Sequence, residues 1–170
     1  MSRSIWQREL TTWRSVAGAD ATRQAAPTRR PTAADFDLLA ELMLDAYLDT
    51  IDYDGETISE ARTEVGSWFD NPNGRLEWSI VALDGDSAIG AVLAGEFEAT
   101  AFVHYIMVRS TSKGRGLATL LLASVLDEMR SNGRTTCRAV ITDGNTPSER
   151  LFASAGFQLT HSTTGHASPN

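Results

Sequence analysis

Two glycines, Gly114 and Gly116, alternate with Lys113 and Arg115 where a strand-like stretch ending in Ile106, Met107, Val108 and Arg109 gives way to an apolar helix opening at Leu117, Ala118 and Thr119. Residues of these types in this order can hold phosphate. Glycine lacks a Cβ, so its backbone can approach an anion and take angles that other residues resist. The first N–H groups of a helix have no intrahelical partner, and the helix dipole adds partial positive charge there. Three cationic side chains around the turn strengthen the reading as a pyrophosphate site. Position 119 is threonine, so the dinucleotide pattern G-x-G-x-x-G is not met, and the only lysine of the chain precedes both glycines, which excludes a P-loop. A plain glycine turn ahead of a helix is the alternative for this run taken alone.

A second constellation lies downstream. Asn145 precedes Thr146, which can cap a helix, with Pro147 at its first position, Glu149 completing a capping box and Gly156 ending it before Phe157. Between the two, residues 119–131 repeat Leu120, Leu121, Leu122, Val125, Leu126 and Met129 at helical spacing, Asn132 and Gly133 stop the helix, and 135–142 read as a strand.

In this order the residues resemble the GCN5-related N-acetyltransferase (GNAT) superfamily. Its acetyl-CoA loop, R/Q-x-x-G-x-G/A, is similar to the run from Lys113 to Ala118, with lysine in the first place; its second signature is similar to Asn145, Leu151, Gly156 and Phe157. The resemblance implies an α/β fold in a single domain, with a mixed, mostly antiparallel central sheet flanked by helices and splayed strands at the acetyl-CoA site. It implies that backbone groups of Ile106, Met107 and Val108 hold the pantetheine arm. The pyrophosphate falls to the loop and helix start, Lys113, Gly114, Arg115, Gly116, Leu117, Ala118 and Thr119, and Asn145 hydrogen-bonds near the pantetheine. Acetyl-CoA is then the acyl donor and no metal is needed.

The activity so implied is direct transfer of acetyl from the thioester to a primary amine, either a small cationic amine or a peptide amino group. Relatives carry a glutamate base four residues before the valine of the loop signature; here that position is His104, whose imidazole can take the proton of an ammonium group. Glu96 and Glu98 compete for that role, and a histidine filling a sheet face is the structural alternative. The tyrosine that protonates the leaving thiolate in relatives is replaced by Phe152, leaving water, Ser148 or Tyr105 as substitutes. That replacement keeps open a non-catalytic, regulatory acyl-CoA-binding module on the same fold. A non-catalytic interaction protein is the third reading.

Composition narrows the rest. The chain has 170 residues, 42% hydrophobic and 22% charged, enough for one sizeable core. A net charge of −7 argues against nucleic acid as a partner. No apolar run approaches membrane-spanning length, and no signal-peptide core is seen. Cys137 is the single cysteine, which suits a reducing cytoplasm, and a buried strand position is its expected place. Ten carboxylates against one base fall within residues 31–66, a solvated helix face or a field that attracts a cationic acceptor.

Residues 1–31 read as an N-terminal extension ahead of an acetyltransferase domain over 32–170. Trp6, Leu10, Trp13 and Ala17 fall at helical spacing and predict a docking helix followed by a linker. Thr32 with Asp35 predicts a capping box for a helix carrying Phe36, Leu39, Met43, Tyr47 and Ile51. Thr57 with Glu60 predicts another carrying Ile58, Ala61, Val65 and Trp68, stopped at 71–74. Strands are expected over 77–83, 87–94 and 101–109, the first two joined by a hairpin at Gly85. Only thirteen residues follow Phe157, enough for a strand over 158–163, where the family commonly has two. Either the sheet is one strand short, or the N-terminal segment or a second subunit covers the edge, which leaves a homodimer open.

Overall fold

The computed structural model describes residues 1–14 and 26–163. Strand β1 (Arg3–Glu9) comes first, then β2 (Thr28–Arg29), α1 (Phe36–Tyr47), α2 (Ile58–Asp70), β3 (Ile80–Asp84), β4 (Ser87–Phe97) and β5 (Thr100–Val108). Helix α3 (Leu117–Ser131), β6 (Thr136–Thr142), α4 (Thr146–Ser154) and β7 (Gln158–Thr163) follow. The strands form one sheet in the order β2-β3-β4-β5-β6-β1-β7, in which β5 and β6 are the parallel pair.

The helices cover both faces of the sheet. Leu39, Leu42, Met43, Val65 and Trp68 of α1 and α2 pack on Val81, Ala88, Ala91, Leu93 and Met107. On the other face Leu121, Leu122, Val125, Leu126 and Met129 of α3 pack on Ala82, Val92, Ala94, Val103, Ala139 and Ile141. Successive residues of β4 therefore enter opposite cores, and a strand buried on both sides must be apolar throughout rather than alternating. Between β4 and β5, Glu98 and Ala99 adopt positive φ of 49° and 61°, a two-residue turn of the kind whose twist suits a hairpin.

Two of the three predicted capping boxes form, at Thr32 with Asp35 and at Thr57 with Glu60; Thr146 with Glu149 does not, because Asn145 caps α4 and Glu149 accepts the Gly144 N–H. Asp35 also takes both nitrogens of the Arg29 guanidinium at 2.7 Å, which with the Thr32 N–H holds its carboxyl down to about 2. The first predicted helix is shorter than its periodicity: α1 ends at Tyr47, and Ile51 lies in the following turn, 42% exposed.

The N-terminal segment departs from expectation. Residues Arg3–Glu9 are a strand, not a docking helix, and pair antiparallel with β6 on one side and β7 on the other. Ala17 lies outside the described residues. Trp6, Leu10 and Trp13 do leave water on their own chain: Leu10 is fully buried, and the Trp13 indole N–H donates to Asp127 at 2.7 Å. Helical spacing alone could not reveal that both neighbouring strands come from the far end of the chain. The N-terminal strand thus lies between β6 and β7, and β7 forms the edge of the sheet. No helix among the described residues is long and apolar enough to cross a membrane.

Candidate active site

Strands β5 and β6 pair only from Ala101 with Cys137 to Val103 with Ala139. Beyond that point β5 continues to Val108 and β6 to Thr142 without pairing, so the sheet splits. The split begins at His104. Across from it Leu93 pairs with Tyr105 and Ala94 with Val103, leaving His104 as the extra residue of a β-bulge, a device that bends and twists a strand. A cleft of about 400 Å³ opens between the parted strands, lined by residues 103–106, by 139–142 and by side chains of α1, α2 and α4. The edge of β5 facing it carries backbone N–H and C=O groups without a strand partner, and such groups pair with an extended ligand. Ile106 lines this cleft, whereas the Met107 side chain is buried in the core beneath α1 and α2, and its place opposite Ala91, two residues from the Arg109 N–H to Ile89 carbonyl bond, turns its backbone to β4.

At the end of β5 the chain makes a 3-10 turn and enters the glycine loop. Gly114 and Gly116 have φ of 75° and 78°, left-handed values that favour glycine, and a Cβ on Gly114 would meet nothing within 4 Å. Conformation, not crowding, demands that glycine. No side chain caps α3 at Gly116, and the first helical bond runs from the Leu120 N–H to the Gly116 carbonyl at 3.2 Å. The N–H groups of Leu117, Ala118 and Thr119 are thus left over, aimed out of the helix start.

Two of the three basic side chains expected to surround an anion are spent otherwise. Lys113 Nζ donates to the Ala46 carbonyl at 2.7 Å, tying the loop to the end of α1. Arg109 Nε donates to the Ala88 carbonyl at 2.7 Å. The Asp45 carboxylate takes the Ser110 N–H at 2.6 Å and its hydroxyl at 3.0 Å, so α1 grips the loop twice. Arg115 is exposed on the loop. Sequence spacing cannot distinguish a cation that meets a ligand from one that meets a helix carbonyl.

Helix α4 borders the far side of the cleft. Its cap is Asn145, one residue earlier than the predicted Thr146: the Asn145 carboxamide oxygen accepts the Ser148 N–H at 3.2 Å. Asparagine caps at least as well as threonine. Asn145 Nδ2 donates to Asp52 at 2.6 Å, joining α4 to the turn after α1. Phe152 is buried with its ring edge-on to Phe157, centroids 5.0 Å apart, and offers no hydroxyl to the cleft it lines.

His104 also lines the cleft, and burial holds its imidazole below the usual histidine range. Its Nε2 is buried without a hydrogen-bond partner. A Cβ on Gly95 would sit 2.8 Å from that nitrogen, so the missing side chain makes room for the ring. The competing carboxylates lie elsewhere. Glu96 pairs with Arg75 at 3.1 Å and with Arg134, and Glu98 is exposed in the hairpin; neither lines the cleft.

The acidic run of residues 31–66 divides by role. Asp35 and Asp37 meet Arg29 and Arg62, and Asp45 meets the loop. Asp52, Glu56, Glu60 and Glu64 line the cleft, together with Tyr47 and Tyr53. The Tyr105 hydroxyl donates to Glu64, a link across the cleft between β5 and α2 that sequence reading did not single out. Burial and the nearby carboxylates push the ionisation of Tyr47 and Tyr105 far up, so both remain protonated.

The acetyltransferase (GNAT) family matches residues 38–157. No curated protein matches the chain. Among solved structures, a GCN5-related N-acetyltransferase from Sphaerobacter thermophilus is similar with a TM-score of 0.72 and 18% identity, over 95% of this chain and 49% of the other. This chain thus spans about half the length of that relative. PaiA N-acetyltransferase from Thermoplasma acidophilum in complex with coenzyme A gives 0.63 at 15% identity, over 77% of this chain and 88% of the other. Aminoglycoside N-acetyltransferase AAC(6')-Iy in complex with CoA gives 0.66 at 16%, over 87% and 98%. The family match takes in the parted strands, the glycine loop and Asn145, and the chain belongs to the GNAT acetyltransferase family.

Proposed function

We propose that this chain is an N-acetyltransferase that moves the acetyl group of acetyl-CoA to a primary amine. The observation that carries this reading is the continuity of two open surfaces: the unpaired edge of β5 leads directly into the uncapped start of α3. Pantetheine would lie along the backbone of Ile106, Met107 and Val108. The pyrophosphate would take N–H groups among residues 114–119, with Lys113 acting through its hold on α1 and Arg115 adding charge. Asn145 would reach the pantetheine with the second hydrogen of its amide, the first remaining on Asp52.

The acceptor nitrogen attacks the thioester carbonyl, the new C–N bond forms as the C–S bond breaks, and CoA leaves as a thiolate. Holding the two reactants in line supplies much of the rate. The ammonium proton must go to a base, and a neutral imidazole kept neutral by burial fits that need at His104, directly or through water. With Phe152 in place of a tyrosine, the thiolate would be protonated by Ser148, which lines the cleft, or by water.

Phe152 also favours a second reading, a module that binds acyl-CoA without turnover. A thermal-shift series followed by thiol release with a panel of amines tests both. Acetyl-CoA is expected to raise the melting temperature, amines to accelerate CoA release, and Gly116→Glu to abolish both effects. Stabilisation without release by any amine would favour the binding module; stabilisation retained in Gly116→Glu would overturn the site itself.

A further inference from the structure

The four cleft carboxylates are not equivalent. Asp52 is taken up by the Asn145 amide. Glu56 accepts the Asp54 N–H at 2.8 Å, and Glu60 accepts the Thr57 N–H and hydroxyl at 2.7 and 2.8 Å, so both serve the backbone at the start of α2. Glu64 alone of the four is hydrogen-bonded to β5, by the Tyr105 hydroxyl on Oε1. Tyr105 directly follows His104 beyond the bulge, and the two rings lie 6.4 Å apart.

We infer that Glu64, oriented by Tyr105, is the residue that receives the acceptor's ammonium group, and that the acceptor is an amine protonated at neutral pH. This rests on the proposed acetyl transfer to an amine. A tyrosine hydroxyl fixed on Oε1 limits the carboxylate to one direction and leaves Oε2 to pair with a cation. A bond from charged donor to carboxylate is about twice as strong as a neutral one. The anchor and the imidazole are set by neighbouring residues of one strand, so an ammonium group seated on Glu64 is delivered beside the group that takes its proton. An arylamine, neutral at the same pH, gains nothing from a carboxylate and would not be selected. Tyr105, held protonated, acts as a positioning residue and not as an acid.

Benzylamine, cationic at neutral pH, and aniline, neutral there, are matched probes. Calorimetric titration of both into the CoA-loaded protein separates binding from turnover. Wild type is expected to bind benzylamine in clear preference to aniline. Glu64→Gln is expected to weaken benzylamine binding about tenfold or more, as loss of a charged hydrogen bond does, without changing CoA affinity. Tyr105→Phe should weaken it about threefold, the scale of a neutral hydrogen bond, and in turnover both variants should raise KM for benzylamine more than they lower kcat. Equal binding of the two probes by wild type, or benzylamine affinity unchanged in Glu64→Gln, would overturn the assignment. Loss of CoA binding in wild type would instead strike at the proposed activity.

Discussion

At the scale of single residues, His104 shows how much of a site depends on where a strand is irregular. As the extra residue of the bulge, it lies on the parted stretch of β5 rather than in a regular ladder, and burial keeps it neutral. A base whose folded pKa lies below its ordinary value stays competent above that pKa and is lost as pH falls through it. The acidic limb of the rate should therefore lie below the usual histidine range. His104→Ala is expected to slow benzylamine acetylation about a hundredfold and to remove the imidazole-limited acidic limb from the profile of kcat/KM against pH. An unchanged profile would discard His104 as the base. The position of His104 relative to Val108 is legible in the sequence through the family resemblance. The bulge is not, since it is defined by the pairing of Leu93 and Ala94 on another strand. Likewise nothing local marks Lys113 as a clamp on Ala46 rather than a phosphate ligand.

At the scale of elements, what is written in short stretches came through the sequence well. The capping boxes at Thr32 and Thr57 and the glycine loop are all set by neighbours within a few residues. The seating of α3 is not of that kind. Its first turns rest on Gly90 of β4, where a Cβ would come within 2.9 Å of Leu121, 3.0 Å of Leu117 and 3.3 Å of the Met107 carbonyl. The helix start that offers its N–H groups is thus held close to the sheet by the absence of one side chain. Gly90→Val should push Leu117 and Leu121 outward and destabilise the fold by about 1–3 kcal/mol, the range for overpacking. The helix start should move with those two side chains. CoA affinity, measured by calorimetry at a temperature where the variant remains folded, is expected to fall about tenfold, the change produced by roughly 1.4 kcal/mol. Wild-type affinity in a destabilised variant would show that the loop keeps its geometry independently of this packing.

At the scale of the whole molecule, the two ends of the chain meet in one place. β1 lies between β6 and β7, and its Glu9 takes the hydroxyl of Thr136, 127 positions away in sequence. The same strand reaches the turn after α4: a Cβ on Gly156 would collide with the Arg8 guanidinium, which itself stacks 5.4 Å from the centroid of the Trp13 ring. A strand whose partners lie so far off leaves no periodic trace of its pairing, and a helix fits its tryptophan spacing equally well, which is why the sequence pointed elsewhere. The consequence for function is that β6, one wall of the cleft, is held on its outer side by residues 3–9 and forms a ladder with β5 at only three residue pairs. A chain starting at residue 10 therefore loses two ladders at once and exposes β6 and β7 as unpaired edges. It should melt at least about 15 °C lower than the full chain, since the ladders amount to a large part of a domain's few-kcal/mol margin, and it should lose the stabilisation by acetyl-CoA. A synthetic peptide of residues 1–9, added in excess, is expected to restore both by filling the slot between β6 and β7. A truncated chain that melts and responds to acetyl-CoA like the full one would show that the cleft wall stands without its N-terminal strand.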